Sequence, residues 1–426
     1  MMIIIFIYYN MTTNTPYFDI IIIGSGMSGL YSAYNIQKVN PDTSFLILEK
    51  FHKHWLGGRT SNDTFYGTQI VTGAGIGRKD TNPLLIHLMK ELKIPFREFH
   101  SVMNYSKLIQ PVDVEKVVIK LRNLYKAHTD LHHLTFKQFF IKMLGHNAYK
   151  QFIISAGYTD YENADLYETL YNYGMDDNKG GWTGLSIPWK QMVHTLYDKI
   201  GASHFRFNNN VVSIQTLNKN PCLFEISTEK GLSYRCNKVI LATTISGIQK
   251  LIPDTNRVYK QIHGQTFLRL YGKFNKKSAI IMQQYVPNYT IVSGPLQKII
   301  PIDSNKGVYM IAYSDNANAI SLKDHLKNTA ENRTFYCNLI EKSLDIPTGS
   351  LELIAIKDFY WPIGTHYFEP LRPPFKNRDA FLKVAQHPEK GILVVGEAVS
   401  RYQGWTEGAL MSVEAVLSNK WITNEC

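Results

Sequence analysis

Residues 24–29, with the sequence GSGMSG, have the spacing GxGxxG that can hold a pyrophosphate. The first glycine, Gly24, would allow a tight turn, and Gly26 would let the backbone approach the phosphates. Gly29 would pack a helix closely against a strand. Backbone amides at the start of that helix, including the amide of Ser28, would then hold the phosphate oxygens. The spacing predicts a dinucleotide site that includes these residues.

A carboxylate stands where such a site needs one. Glu49 follows Gly24 by about 25 residues, at the end of a second predicted strand, where it can bind ribose hydroxyls. An acid at this point disfavours a 2′-phosphate, but it does not separate NAD from FAD. A purely structural glycine turn would require neither the flanking strands nor Glu49. We therefore favour the nucleotide site and include the neighbouring Lys50 in it.

Two further glycine-rich segments resemble those of the flavin-containing amine oxidase superfamily, which includes monoamine, polyamine and L-amino-acid oxidases. Residues 56–60 (LGGRT) resemble the family's GGR segment, which contacts the diphosphate and ribityl region of FAD. Residues 72–75 (TGAG) resemble the following turn, which passes under the flavin. The resemblance covers nearly the whole chain from Met11. It implies that FAD is contacted by Gly57, Gly58, Arg59, Gly73, Ala74 and Gly75.

The C-terminal part resembles the family's last cofactor segment. Residues 396–398 (GEA) place a glutamate where the family's glutamate meets the ribityl chain, and residues 404–409 (GWTEGA) resemble a helix start that points at the flavin. A helix N-terminus stabilises the negative charge of reduced flavin. Val212 matches the position whose backbone amide reads the adenine, although an ordinary core valine has the same spacing. The resemblance thus adds to the FAD site Gly396, Glu397, Trp405, Thr406, Ala409 and Val212.

Residues 361–367 (WPIGTHY) resemble the family segment that lines the substrate pocket. Some members carry a cysteine there that is bonded covalently to the flavin. Thr365 stands at the matching place, so we expect non-covalent FAD. His366 and Trp405 match two positions that, as aromatics, form a cage for the substrate amine, which cation–π attraction favours. A structural histidine with satisfied hydrogen bonds is the alternative for His366.

The resemblance fails at one lysine. Many members have a lysine that holds a water against flavin N5, but the matching residues 263–271 (HGQTFLRLY) contain none. Arg269 is the nearest cation, and Lys273 lies further along the same strand face. Arg269 would hold a water or clamp a substrate carboxylate. A surface strand residue with no role in the site is the alternative.

The hydrophobic pattern predicts the elements that position these residues. An apolar strand over 18–23, a helix over 27–38 and a strand over 44–48 form a βαβ unit around the glycine turn. From about 80 to 200 the pattern is mainly helical, with a helix start at Pro83. Further strands are predicted over 211–213, 222–227, 238–241, 266–274, 279–282, 308–313, 353–359 and 391–395, and helices over 322–343 and 406–419.

These elements predict an α/β fold, with a Rossmann-type GxGxxG FAD-binding domain and an inserted substrate domain of mixed antiparallel sheet plus helices. We expect the FAD-binding domain to comprise residues 11–100, 205–258 and 385–426. The substrate domain would comprise a helical part, 101–204, and a sheet, 259–384. FAD would lie at the interface between the two domains.

The composition is that of an ordinary globular chain. Its 426 residues are 44% hydrophobic and 19% charged, with a net charge of +11 and a pI near 9.2. The basic residues form no long run, so no specific nucleic-acid partner is expected, whereas an anionic substrate group stays open. There is no HExxH, P-loop, CxxC or GxSxG motif, so hydrolase chemistry and a metal site are not predicted.

The cysteines and the N-terminus bear on the compartment. The four cysteines, Cys222, Cys236, Cys337 and Cys426, show no metal-ligand spacing, and free thiols in a reducing compartment are expected. The first ten residues lack a basic start and a cleavage site, and they are too short to cross a bilayer. We expect a cytoplasmic protein without a membrane span, with a homodimer as one option.

The predicted function is oxidation of a C–N bond in a small-molecule amine, with hydride transfer to flavin N5 and reoxidation by O2 to H2O2. One alternative is a desaturase or protoporphyrinogen-oxidase-like enzyme, which would need a wide hydrophobic tunnel and a membrane-facing helix. Another is a flavin-binding structural protein with little turnover, which the missing lysine motivates.

Overall fold

A computed structural model describes residues 15–173, 181–254 and 257–424. The strands β1–β18 are, in chain order, Tyr17–Ile23, Phe45–Leu48, Asn62–Phe65, Thr68–Val71, Gly77–Arg78, Arg97–His100, Met103–Tyr105, Thr183–Ser186, Phe205–Arg206, Val211–Lys219, Cys222–Thr228, Ser233–Leu241, Ile262–Phe274, Tyr289–Ile291, Lys298–Asp303, Val308–Asp315, Leu353–Phe368 and Ile392–Val394. The α-helices α1–α13 are Met27–Val39, Pro83–Glu91, Val114–Ala127, Phe136–Leu144, His146–Ala156, Trp189–Ile200, Ile245–Leu251, Lys276–Tyr285, Asn316–Ser321, Ala330–Leu344, Arg378–Gln386, Thr406–Glu414 and Asn419–Thr423.

A seven-stranded sheet carries the glycine-rich turn. Strand β1 lies between β2 and β12 and is parallel to both, while β9 pairs with β2 and β18 with β12, also in parallel. The antiparallel strands β10 and β11 extend the sheet beyond β12. Ile20 and Ile22 pack into one hydrophobic cluster and Ile21 and Ile23 into another. The predicted apolar run is therefore a strand covered on both faces, and the predicted βαβ unit and the return of residues 238–241 to the parallel sheet are confirmed.

A second sheet of six strands has the order β17-β13-β16-β15-β14-β7. Its long central pair, β13 and β17, is antiparallel, with Gln265 opposite Thr365 and Arg269 opposite Phe359. Helices α3, α4 and α5 form a separate aromatic-rich cluster that reaches this sheet through Phe267 and Tyr313. The predicted α/β fold class, with a mixed antiparallel sheet plus helices in the second part, is confirmed, whereas the exact domain boundaries stay predictions.

Three predicted elements differ in the structure. Residues 279–282, predicted as a strand, lie in helix α8, which starts where the Asn275 side chain accepts a hydrogen bond from the amide of Ser278. A short apolar run is compatible with a buried strand and with a helix, so the hydrophobic pattern alone could not distinguish the two. The helix predicted over 322–343 begins only at Ala330, after the cap Thr329. The helix predicted over 406–419 ends at Glu414, and α13 starts separately after Ser418.

The cysteines depart from the expectation of free thiols. Cys236 and Cys337 are free and buried, as predicted, but Cys222 is disulfide-bonded. The prediction was wrong for Cys222 because spacing along the chain does not report which thiols meet in space. Cys426 and the first ten residues lie outside the described part of the chain. Within that part, no helix is long and apolar enough to cross a membrane.

Candidate active site

A cavity of about 1640 Å³ lies where the two sheets meet. It exceeds the usual range for a small-molecule pocket, about 300–1,000 Å³, and so has room for a dinucleotide and a substrate together. The residues predicted for the site that line it are Gly24, Gly26, Ser28, Glu49, Lys50, Gly57, Gly58, Arg59, Gly73, Ala74, Gly75, Val212, Arg269, Gly396, Glu397, Trp405, Thr406 and Ala409. Two predicted residues, Gly29 and His366, do not line it.

The glycine-rich turn has the geometry that its spacing predicts. Gly24 has a φ of +107°, and a Cβ there would lie 2.5 Å from the carbonyl oxygen of Ala242. A Cβ at Gly29 would lie 2.0 Å from the Gly24 oxygen, so this glycine is needed for packing, not for lining the cavity. A Cβ at Gly26 would meet no atom within 4 Å, because this side of the backbone faces open space. Helix α1 starts there without a side-chain cap, which leaves its first amides available to an anion.

Glu49 is held in place by its neighbours. Its carboxylate accepts hydrogen bonds from the amide of Ser25 at 2.8 Å, from the Ser25 hydroxyl at 2.7 Å and from the Phe51 amide at 2.9 Å. Val212 is 49% exposed and lines the cavity, so the reading of Val212 as a core valine is wrong. Its predicted contact with adenine stays a prediction.

A buried ion network joins three distant segments behind the cavity wall. Glu397 accepts hydrogen bonds from Arg59 Nη1 at 2.8 Å, from His366 Nδ1 at 2.5 Å and from the Gly404 amide at 3.0 Å. Arg59 also donates to the carbonyl of Gly364 at 2.7 Å. Burial favours the protonated acid, but the contacts with His366 and Arg59 outweigh it and hold the pKa of Glu397 well below its usual value.

His366 does not form a cage with Trp405. Its side chain is 0% exposed, and its second ring nitrogen, Nε2, accepts a hydrogen bond from the Ile245 amide at 3.1 Å. Side chains alternate along a strand, so Thr365 faces the cavity and His366 points away from it. The predicted cage role of His366 is therefore corrected to that of a structural histidine with satisfied hydrogen bonds, the alternative considered above.

Trp405 lies on the cavity wall, directly before helix α12. Its ring stacks on Tyr402 with centroids 5.9 Å apart and an interplanar angle of 18°. The guanidinium of Arg78 lies 5.0 Å from the Trp405 ring and 4.6 Å from that of Trp182. The ring that stacks on Trp405 is therefore Tyr402, not His366, and Arg78 is a neighbouring cation.

Arg269 is buried in the wall, 8% exposed, and it contacts the turn that was predicted to pass under the flavin. Its Nε donates to the carbonyl of Gly73 at 2.7 Å, and its guanidinium lies 4.2 Å from the centre of the Tyr313 ring. The reading of Arg269 as a surface residue is therefore wrong. Lys273 instead bonds to carbonyl oxygens of Phe274 and Lys306, outside the cavity lining.

Comparison with known proteins decides the family. A model of the family described as flavin-containing amine oxidoreductase matches residues 27–295. The chain belongs to this family. It is accordingly a flavin-dependent oxidoreductase, and the predicted resemblance is confirmed.

One relative of this family member matches nearly its whole length, and two solved structures have a similar fold. A protein of Acanthamoeba polyphaga mimivirus, described as uncharacterized protein R188, is 20% identical over 94% of this chain and 93% of its own length. Wild-type putrescine oxidase bound to putrescine has a similar structure, with 14% identity, a TM-score of 0.73 and coverage of 94% of this chain and 98% of that one. Cyclohexylamine oxidase from Brevibacterium oxydans IH-35A has 14% identity, a TM-score of 0.73 and coverage of 96% and 99%.

The residues around the cavity fit the FAD that this amine oxidoreductase family implies. Gly26 and Gly58 leave open space where side chains would stand, next to the uncapped start of α1. Helix α12 also starts without a side-chain cap. The Thr365 hydroxyl is buried and has no hydrogen-bond partner within the described residues, as expected of a group that meets a ligand. Backbone donors, open backbone and an orphan hydroxyl together form a site for a dinucleotide.

The family member also has cavity residues that the sequence did not single out. Asp160 lines the cavity, and its Oδ1 accepts a hydrogen bond from the hydroxyl of Tyr173 at 2.8 Å. Burial, with help from the charge of Asp315, raises the pKa of Asp160 to about 7. Lys298 lies just behind, 4.4 Å from the Tyr313 ring, and burial lowers its pKa well below the usual value. The only sequence signal for this part of the cavity was the frequency of tyrosine before residue 200. These tyrosines have no regular spacing that would indicate which of them share one face of a helix or strand.

Proposed function

We propose that this chain binds FAD non-covalently and oxidises the C–N bond of a small amine. One observation carries the proposal: a single continuous cavity joins the predicted FAD contacts to a wall that contains Trp405 and Arg269. Bound FAD would accept the hydride that leaves the carbon next to the amine nitrogen. Water would hydrolyse the resulting imine to a carbonyl compound and ammonia or a smaller amine, and O2 would take the electrons to give H2O2.

The chain's own side chains would hold the amine. The face of Trp405, backed by Tyr402, offers π density to a substrate nitrogen and keeps water away from it. Arg269 is positioned by Gly73 and Tyr313, next to the turn at Gly75, where it would hold a water or a substrate carboxylate. The first backbone amides of α12, which no side chain caps, would stabilise a negative charge placed at the start of this helix.

The family relatives support an amine as the substrate. Putrescine oxidase and cyclohexylamine oxidase, two proteins of similar fold, are named for amines. Thr365 faces the cavity at the place where some family members carry the flavin-bonding cysteine, which supports non-covalent FAD. Acid precipitation tests this point, because non-covalent flavin should leave with the supernatant.

A second candidate is oxidation of an α-amino acid. Four arginines line the cavity. Arg59 is paired with Glu397, and any of the other three, Arg78, Arg97 and Arg269, would attract a substrate carboxylate. These charges, together with Asp160, also disfavour a desaturase that acts on a wholly apolar substrate. The other alternative is a flavin-binding structural protein with little turnover, and the flavin reduction assay below distinguishes it from an enzyme.

Anaerobic reduction of the flavin tests the proposal. The purified protein is mixed with diamines, monoamines and L-amino acids, and the visible flavin band is followed before and after air is admitted. We expect one class to bleach the band and air to restore it with formation of H2O2. FAD that no amine reduces would contradict the proposal and favour the desaturase or the structural protein.

A further inference from the structure

We propose that Asp160 binds a second positively charged nitrogen of the substrate, distant from the nitrogen that is oxidised. The enzyme would then favour compounds with two cationic nitrogens, either diamines or basic amino acids, over monoamines of the same length. This inference rests on the proposed amine oxidation and goes beyond it by naming the residue that selects the substrate.

The position of Asp160 is the first support. It lines the main cavity, and with Thr365 and Trp405 it also lines a small adjoining recess of about 60 Å³. The carboxylate therefore faces the same space as the tryptophan that would hold the reacting amine. A substrate held at Trp405 can extend toward Asp160 without leaving the cavity.

The second support is a contrast among the acids of the cavity wall. Among the described lining residues these are Glu49, Asp160 and Glu397. Glu49 accepts three hydrogen bonds, and Glu397 faces both Arg59 and His366. Asp160 accepts one side-chain hydrogen bond, from Tyr173, and makes no ion pair in the described part of the chain. Among the lining acids of the described residues, it is the one with neither a salt-bridge partner nor several hydrogen bonds within that part of the chain.

The two charged side chains that influence the pKa of Asp160, those of Asp315 and Lys298, make their contacts with groups other than its carboxylate. Asp315 accepts hydrogen bonds from the amides of Thr159 and Asp160, from the Thr159 hydroxyl and from Gln297. Lys298 lies between the rings of Tyr158 and Tyr313, and burial drives it toward its neutral form. Burial also keeps Asp160 partly protonated near neutral pH, so an arriving cation would convert it to the carboxylate.

The surrounding wall suits a cation. Aromatic rings that line this part of the cavity are those of Tyr158, Tyr173, Phe267, Tyr289 and Tyr313. Lys298 and Arg269 already lie over the rings of Tyr158 and Tyr313. No cation of the described residues lies over the other three rings, whose faces would attract a positive charge and exclude water, which strengthens its pairing with a carboxylate. A neutral alkyl end of a monoamine would fit the rings but would leave Asp160 without a partner.

The test compares matched substrates on the FAD-loaded enzyme. The pairs are 1,4-diaminobutane with 1-aminobutane, and L-lysine with L-norleucine, each differing in a terminal ammonium. For the preferred pair we expect kcat/KM to be about 100-fold higher for the compound with two cations, corresponding to about 2.7 kcal/mol. The first pair identifies diamines and the second identifies basic amino acids as the source of that cation.

Asp160→Asn removes the charge and keeps an oxygen that accepts the Tyr173 hydrogen bond. We expect it to lower kcat/KM for the doubly charged substrate about 100-fold, mainly through KM, and to change the monoamine value less than about 3-fold. Glu162→Gln is the matched control, because Glu162 pairs with Lys137 and does not line the cavity. It should leave the substrate preference unchanged.

Asp160→Glu gives an independent check if the Asn variant does not fold. A longer side chain should shift the best diamine to one shorter by about one methylene. Equal rates with both members of each pair, or a preference that Asp160→Asn leaves intact, would overturn the role of Asp160 while amine oxidation stands. If no amine reduces the wild-type flavin, the proposed function itself fails and this inference falls with it.

Discussion

The dinucleotide end of the cavity is built mainly from backbone, whereas the opposite end is built from side chains of scattered elements. At the first end, Gly26 and Gly58 leave room for a ligand, and protein groups hold the carboxylates of Glu49 and Glu397 in place through hydrogen bonds. At the second end, Asp160 comes from the loop after α5 and Arg269 from strand β13, and both line the cavity beside aromatic side chains. The first end can be shared by many enzymes, and the second end sets what each of them oxidises.

Substitutions of two glycines in one turn should have different consequences, one for folding and one for cofactor binding. The loss of stability expected for the first is the largest effect predicted here. Gly29→Ala places a Cβ 2.0 Å from the Gly24 oxygen, so we expect a loss of more than about 4 kcal/mol and little soluble protein. Gly26→Ala meets no protein atom within 4 Å and should fold normally. Its methyl group would occupy the approach to the phosphates, so FAD affinity should fall about 100-fold by fluorescence titration. Normal FAD binding by Gly26→Ala would contradict the predicted phosphate site.

The ion network behind the wall should be the next largest contribution to stability. Glu397→Gln removes the charge that faces Arg59 and His366, and we expect a loss of about 2–3 kcal/mol in chemical denaturation. The pKa of Glu397 is lowered in the folded protein, so its contribution to stability is present above the unfolded pKa of 4.5 and is lost as pH falls. Between pH 6 and pH 4 the wild type should therefore lose more stability than the variant.

A surface pair serves as the control for that variant. Glu225 pairs with Arg235 at 3.1 Å in a partly exposed position. Glu225→Gln should change the free energy of unfolding by less than about 0.5 kcal/mol, because exposed pairs contribute little. Equal losses in the two variants would mean that the buried network is no more important than a surface pair.

A substitution of Arg269 tests whether the substrate end of the cavity also affects reoxidation of the reduced flavin by O2. Arg269→Met removes a buried cation beside the turn at Gly73, and we expect the rate constant for reoxidation by O2 to fall about 10-fold, because a cation stabilises charge that develops on oxygen. Stopped-flow mixing of the reduced enzyme with O2 measures it. Arg97→Met is the control, since Arg97 lines the cavity from an exposed strand. An unchanged reoxidation rate in Arg269→Met would leave Arg269 as a carboxylate clamp or a packing residue.

Asp160 should have a small effect on the pH dependence of stability, and this effect should have the opposite sign to that of Glu397. Its pKa in the folded protein is raised to about 7, so the folded state holds a proton that the unfolded state releases near 3.8. Stability therefore falls as pH rises from about 3.8 to about 7. Burial and the charge of Asp315 raise the upper limit of this range, whereas the hydrogen bond from Tyr173 and the nearby Lys298 lower it. Asp160→Asn should raise Tm by a few degrees at pH 8 and leave it nearly unchanged at pH 4. A lower Tm at pH 8 would show that Asp160 is already paired.

The sequence predicted the dinucleotide end because its function depends on backbone turns that few residue types allow. The spacing of Gly24, Gly26 and Gly29 between two apolar strands specified both the turn and its ligand. His366 was misassigned because one residue along a strand reverses the direction of a side chain, and only the register with β13 decides it. Asp160 could not be predicted, since its environment comes from β15, β16 and the turn after α5, which no local pattern relates.

The place of β18 in the first sheet has a consequence for the synthesis of the chain. Strand β1 ends at Ile23, but its neighbour β12 begins at Ser233 and the outer partner of β12 begins only at Ile392. At about 5–20 residues per second, a ribosome would make the last strand roughly 20–75 s after the first. Strand β1 would have both of its neighbours once β12 is made, roughly 10–45 s after β1, but the sheet would lack β18 until the end of the longer interval. A chain truncated before residue 392 would leave the β12 edge that pairs with β18 without its partner, and unpaired edges of this kind promote aggregation.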